Sequence, residues 1–179
     1  MKGASSVAFS LLIVSIMPAS LSAKGPTVKI VIKGAALTTP LEITDSKVGA
    51  FGVWEGLGVF KNRVEQTEGF IIDWSKGIVA DRPIGLQHYE VSFYSGCQIG
   101  EYNCRTSEPS LTYVVFYDYD PSMEQGYIYL PGKADELSKF NTRMWHGHGF
   151  EGNWSCATKA WESFVRPLIA KARATDPSR

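Results

Sequence analysis

Residues 111–130 constrain the fold of this chain more than any other stretch. Residues 111–117 are almost all β-branched or aromatic, which favours a strand, and residues 126–130 resume that pattern. Between them, Asp120-Pro121-Ser122 has the composition of a turn. The stretch therefore predicts a β-hairpin.

Both faces of the first strand in this predicted hairpin are apolar. Tyr113, Val115 and Tyr117 share one face and the intervening residues share the other, because side chains alternate along a strand. A strand without a polar face is typical of a sheet centre. We therefore expect a helix to cover one face of the sheet, and loops or another layer to cover the other.

The N-terminus has the layout of a secretory signal peptide. Lys2 gives a basic start, residues 7–17 form an apolar run, and small residues follow as far as Ala23. The run is shorter than the about 20 residues that cross a bilayer, which disfavours the alternative of a retained membrane anchor. We predict cleavage after Ala23, export to the periplasm or the medium, and one globular domain over residues 24–179.

Charge gives no indication of a polyanionic partner. The chain has 18 basic and 18 acidic residues, and residues 1–23 contribute only Lys2 to these. A nearly neutral protein has no electrostatic reason to bind nucleic acid or an anionic membrane. No second apolar run follows the first, so we expect no membrane span after cleavage.

The three cysteines fit an exported protein with one disulfide. Cys97 and Cys104 enclose a short polar loop and form the natural pair, which leaves Cys156 over. The alternative pairings of Cys156 remain open. A loop this short predicts a stabilisation of about 2 to 3 kcal/mol in the chain-entropy model.

Further strands are predicted along the chain. Residues 28–32 give a strand signal, and residues 41–44 alternate apolar with polar and are expected to pair back on it. Residues 70–74 are another strand candidate, and residues 87–94 alternate in the manner of a half-buried strand leading towards the hairpin. These segments predict three adjacent antiparallel strands around residues 87–130.

The C-terminal segment predicts a helix. Its apolar residues recur every three or four positions from Ala157 to Ala172, and Ser155 is the expected N-cap. Pro167 removes one backbone donor, so we expect a kink or a break into two short helices there.

A histidine pair is the sharpest candidate for chemistry. In an extended segment, His146 and His148 point the same way, which suits chelation of one metal ion, and His88 is the only other histidine. Two exposed histidines in a glycine-rich loop need no metal, however. A divalent metal is therefore the cofactor of the alternative function, and the favoured function needs no cofactor.

Aromatic residues are the remaining signal, at 12% of the chain. Tyr113, Tyr117, Tyr127 and Tyr129 are expected to line one sheet face, while Trp74 and Trp161 fit the core. Aromatic surfaces with polar rims bind sugars, peptides and other ligands. The candidate ligand contacts are Trp54 and Trp145, which lie in glycine-rich loops, together with Tyr117 and Tyr127.

These patterns predict an α+β fold, with a mostly antiparallel sheet of about five or six strands and a C-terminal helix packed on one face. No nucleophile elbow, phosphate loop or dinucleotide motif is present. The favoured function is an exported, non-enzymatic module that binds a small molecule, a glycan or a protein. The alternative is a small metal-dependent hydrolase that uses His146 and His148.

Overall fold

A seven-stranded antiparallel sheet with one α-helix packed on it forms the centre of the molecule. This computed structural model describes residues 25–34, 36–53, 60–61, 63–65, 68–96, 108–141 and 149–175. Among them are eleven strands and one α-helix, in this order: β1 Thr27–Gly34, β2 Leu41–Ile43, β3 Phe60–Lys61, β4 Val64–Glu65, β5 Glu68–Gly69, β6 Ile72–Asp73, β7 Ile78–Val79, β8 Gln87–Ser95, β9 Ser110–Tyr119, β10 Tyr127–Leu130, β11 Asn153–Cys156 and α1 Lys159–Ala174. Single 3-10 turns occupy Ser46–Ala50, Trp74–Lys76 and Glu136–Phe140.

The main sheet has the strand order β2-β1-β8-β9-β10-β11-β7, and two small hairpins, β3-β4 and β5-β6, stand outside it. The α+β class with an antiparallel sheet is confirmed, although seven strands pair in the main sheet where five or six were expected. The predicted hairpin is also confirmed, because β9 and β10 pair and Met123 donates its backbone N–H to the carbonyl of Asp120. Strands β8, β9 and β10 are adjacent, as predicted.

One face of the sheet is the core. Ile32, Val91 and Val115 stand opposite one another on β1, β8 and β9, and each is fully buried. The neighbouring row is Ile30, Phe93 and Tyr113, which is equally buried. We call this side the core face and the opposite side the outer face.

Helix α1 closes the core face through Trp161, Val165 and Ile169, which repeat every four residues and are all fully buried. Each such side chain contributes about 1.5 to 3 kcal/mol when it leaves water. The Trp161 ring meets Phe51 and Tyr117 edge-on, at centroid distances of 5.3 and 5.9 Å. This packing fixes the helix across the centre of the sheet.

The expected N-cap of the helix is wrong, and so is the expected break into two short helices at Pro167. The N-cap is Thr158, whose hydroxyl accepts from the N–H of Trp161, whereas Ser155 lies in β11 and pairs with Ile128 and Ile78. The helix also continues through Pro167 as one element. Burial of its apolar stripe offsets the loss of one backbone hydrogen bond.

The strand predicted over residues 70–74 is only partly present. Phe70 and Ile71 form a turn, Phe70 has a positive φ of 57°, and only Ile72–Asp73 is extended before the Trp74–Lys76 turn. Asp73 ends the strand because its carboxylate accepts from the backbone N–H of Ser75, as an N-cap does.

Asn141 extends the sheet with its side chain. Its Oδ1 accepts from the backbone N–H of Val114 at 2.7 Å, and its Nδ2 donates to the Val114 carbonyl at 3.0 Å. Strand β10 pairs with β9 only from Phe116 onwards. The side-chain amide of Asn141 therefore supplies the hydrogen-bond partners for the β9 backbone at Val114, which precedes the paired part.

Candidate functional site

The outer face of the sheet carries two continuous cross-strand rows of chemically distinctive side chains. Directly opposed residues in antiparallel strands share a face, so the register defines both rows. One row crosses six strands and consists of Lys33, Glu90, Phe116, Tyr129, Trp154 and Val79. The other crosses four strands and consists of His88, Asp118, Tyr127 and Cys156.

Aromatic rings are continuous along the first of these rows. The centroid of Phe116 lies 6.1 Å from that of Tyr129, and Tyr129 lies 5.2 Å from Trp154. The imidazole of His88 joins the row at 4.7 Å from Phe116. These aromatic side chains are partly exposed, unlike those of the core face.

Asp118 is the electrostatic centre of the outer face. Its carboxylate is almost fully buried, and its two oxygens each meet a cation or a cation-forming group. Oδ1 lies 2.6 Å from Nδ1 of His88, and Oδ2 lies 2.6 Å from Nη1 of Arg82. Both partners are needed because an uncompensated buried charge is costly.

The carboxylate also fixes the histidine tautomer. An ionised carboxylate only accepts hydrogen bonds, so Nδ1 of His88 carries the proton and donates it to Asp118. In the neutral ring, Nε2 is then the acceptor. The imidazole side chain is 55% exposed, so a ligand can reach the ring that carries Nε2.

Arg82 is held from two sides. Its guanidinium carbon lies 4.0 Å from the centroid of Trp154, within cation–π range, while Nη1 reaches Asp118. The planar guanidinium suits this combination, since it stacks on a ring and donates in its own plane.

A cleft forms where the segment 80–86 connects β7 to β8. These strands are separated in the sheet by β9, β10 and β11, so the connection passes over several strands. The cleft has a volume of about 600 Å³ and is lined by residues 80–86 with His88, Asp118 and Trp154. We call it the Arg82 cleft.

The structure places three of the residues singled out from the sequence. His88 lies in the Arg82 cleft, and Tyr127 is partly exposed on the outer face beside Asp118. Tyr117 lies in the core, fully buried, with its hydroxyl donating to Glu162 at 2.9 Å, and offers no surface to a ligand in this conformation. The other candidates fall outside the described residues, namely Trp54, Trp145, His146, His148, Cys97 and Cys104.

The expectation that four tyrosines share one face is wrong. Tyr113 and Tyr117 point to the core face, but Tyr129 stands opposite Phe116 and Tyr127 opposite Asp118, which places both on the outer face. The turn between β9 and β10 sets this register, and sequence spacing alone does not reveal it.

No metal-binding cluster of three or more histidine, cysteine or acidic side chains occurs within the ranges that the structure describes. There, His88 is engaged by Asp118. A site that involves His146 and His148 stays a prediction.

Cys156 is a free cysteine, and the described part of the chain contains no disulfide. Burial raises the pKa of its thiol, which disfavours the nucleophilic thiolate. It also lies on β11, three strand spacings or roughly 14 Å from His88 on β8, so the two do not form a nucleophile–base pair.

Arg82 was not among the candidates drawn from the sequence. The sequence feature that points to such a residue is its partner Asp118. A carboxylate in an otherwise apolar strand is buried when the sheet is covered, and a buried carboxylate needs a cation or a hydrogen-bond donor beside it. The partner itself comes from a connection that precedes β8, and sequence patterns do not show that contact.

Comparisons with protein-family models, with curated proteins and with solved structures found no match to this chain. Among the described residues, no helix combines the length and the apolar character that a membrane crossing needs.

Proposed function

We propose that this protein is an exported binding module that holds a neutral, hydroxyl-rich ligand, most simply a glycan, in the Arg82 cleft. The observation that carries the proposal is the placement of Arg82 between the Trp154 ring and the Asp118 carboxylate within that cleft. The export part rests on the N-terminal sequence described above.

The charges of the cleft disfavour an anionic ligand. Arg82 and Asp118 form an ion pair and cancel each other, and Asp81 adds an exposed carboxylate to the lining, so the cleft has no fixed excess of positive charge to attract an anion. A hydroxyl group both donates and accepts, and so matches a site with guanidinium donors, carboxylate acceptors and an imidazole.

The fixed geometry of these groups also supports binding. Arg82 and His88 are each already held by Asp118, so these three side chains lose little rotamer entropy when a ligand arrives. Trp154 and Tyr127 add partly exposed aromatic area beside the polar groups, which is the combination that orients a ligand in a pocket.

The test is calorimetric titration of the purified protein with neutral oligosaccharides, namely cellotriose, maltotriose and chitotriose. We expect at least one to bind, and Trp154→Ala and Arg82→Gln each to weaken it by about tenfold or more, since each removes a contact worth roughly 1.4 kcal/mol. Lys133→Gln, at an exposed position away from the cleft, is the matched control. Absence of binding by all three sugars, or wild-type affinity in both cleft variants, would contradict the proposal.

The His88–Asp118 pair favours a second candidate function, hydrolysis with His88 as the general base. A carboxylate that holds Nδ1–H leaves Nε2 to take a proton from water, as the orienting acid does in hydrolytic triads. His88→Gln would then abolish turnover of nitrophenyl glycosides or esters while binding persists. Metal dependence through His146 and His148 belongs to this candidate, and elemental analysis of the His146→Ala, His148→Ala double variant tests it separately.

A further inference from the structure

A second cavity lies on the other side of the molecule, between the end of β9 and the second half of α1. It has a volume of about 720 Å³. Its walls are mainly apolar and include Tyr119, Pro121, Pro167, Ala170 and Ala174, and two arginines complete the lining, Arg166 and Arg173. We call it the helix groove.

Arg166 has a structural role in this groove. Its guanidinium pairs with Glu162 one turn earlier and donates to the backbone carbonyls of Met123 and Glu124. It also lies 4.8 Å from the ring centroid of Tyr119. These contacts tie α1 to the β9–β10 turn and leave the charge of Arg166 largely compensated.

Arg173 differs because, in the described part of the chain, no carboxylate lies within ion-pair distance of it. Its Nη1 donates to Oε1 of Gln87 at 2.9 Å, and the same oxygen accepts from the hydroxyl of Tyr89 at 2.7 Å. A neutral amide therefore holds the guanidinium in place without cancelling its charge. The result is a positioned cation at the rim of an apolar cavity.

We infer that the helix groove binds a small amphipathic anion, with an apolar body against the proline and alanine walls and one carboxylate on Arg173. Guanidinium and carboxylate groups match in a two-bond geometry, and an Arg already fixed by Gln87 loses little entropy in forming it. A single cation that has no carboxylate partner among the described residues suits a single negative charge. A doubly charged phosphate would lose more hydration beside these apolar walls than one cation returns.

This site is independent of the Arg82 cleft. Tyr119 belongs to the core-face side of β9 that α1 covers, whereas Arg82, His88 and Asp118 meet on the outer face. One site can therefore be occupied without the other.

Decanoate, a saturated acid of medium chain length, is the probe, and the measurement is calorimetric titration of the purified protein. We expect a saturable site whose affinity falls at least tenfold in Arg173→Gln and in Ala170→Trp, the second of which fills the groove from an exposed helix position. Lys171→Gln is the matched control, because it removes an equivalent charge from the same helix turn outside the groove lining.

Two further readouts keep the inference open to refutation. Circular dichroism checks that each variant retains its helix. Decanol replaces decanoate in a parallel titration, and equal binding of the alcohol would show simple apolar adsorption and overturn the inference. No saturable binding of decanoate, or equal loss in Arg173→Gln and Lys171→Gln, would overturn it too.

Discussion

Asp118 is a buried carboxylate that serves two partners with its two oxygens. At the residue scale, this makes it the single side chain on which the Arg82 cleft depends. Arg82 lies in the 80–86 connection and His88 in β8, and both precede Asp118 in the chain. The carboxylate holds these two side chains next to each other by contacting both. We expect its loss to affect both stability and ligand binding.

We expect Asp118→Asn to lower the free energy of unfolding by about 1 to 3 kcal/mol, because the amide cannot accept from both Arg82 and His88 and directs a donor at one of them. Urea unfolding measures the change. Asp81→Asn is the matched control, since Asp81 is an exposed acid in the lining of the same cleft. Equal stability of the two variants would show that the ion pair with Arg82 contributes nothing to the fold.

At the element scale, two prolines in this chain are expected to have opposite effects. Pro121 follows Asp120 in the turn after β9, where the fixed φ of proline fits, while Pro167 lies inside α1. We expect Pro167→Ala to raise the free energy of unfolding by about 2 kcal/mol and Pro121→Ala to lower it by about 0.4 to 1 kcal/mol. Urea unfolding of both variants provides the comparison. A loss of stability in Pro167→Ala would mean that packing of the proline ring stabilises the protein more than the helical hydrogen bond that alanine restores.

The side chain of Asn141 behaves as one more residue of the sheet. We expect Asn141→Ala to lower the free energy of unfolding by about 1 to 3 kcal/mol, because the backbone N–H and carbonyl of Val114 lose their partners in a buried site. Hydrogen exchange should show faster exchange at the Val114 amide. Asn153→Ala, which removes an amide that donates to the nearby carbonyls of Gly149 and Glu151, is the control and should leave the Val114 backbone amide protected.

Much of the element pattern is predictable from local sequence. Strands β8 and β9 are long, and their alternating or apolar patterns identify them directly. Strand β7 has two residues and β11 has four, so neither is long enough for a periodic signal. Ser155 and Thr158 are equivalent as caps by residue type, and only the pairing of β11 with its two neighbours decides between them.

The candidate site is less predictable, because it depends on register between distant segments. His88 attracts attention as one of three histidines, yet its partner Asp118 becomes evident only when β8 and β9 are aligned. To predict the contact of Arg82, one also needs the path of the 80–86 connection over the sheet. Charge pairing between elements is a tertiary property that no local spacing encodes.

At the scale of the whole molecule, the core contains several buried phenol groups, and this predicts a loss of stability at alkaline pH. Burial raises the pKa of Tyr89, Tyr113 and Tyr117 above the ordinary value of 10. The folded protein therefore keeps protons that the unfolded chain releases above pH 10, so stability is full below that pH and falls as pH rises beyond it.

Urea unfolding between about pH 8 and about pH 11 measures this effect. We expect the free energy of unfolding to fall over the upper part of the range, and Tyr113→Phe, which removes one of the three buried phenols, to show a smaller fall. A stability that is constant across the range would contradict the assignment of these tyrosines to the core.

The order of strands in the sheet also bears on how fast the molecule forms. Strand β1 lies between β2 and β8, and its contact with β8 places Ile32 beside Val91, far along the chain. Strand β7 likewise pairs with β11, which also lies far along the chain. Because distant segments must meet before the sheet closes, we expect folding to take milliseconds to seconds, with the local β8–β9–β10 meander forming before β1 docks. A newly made chain would thus remain open for longer than a helical bundle of the same length.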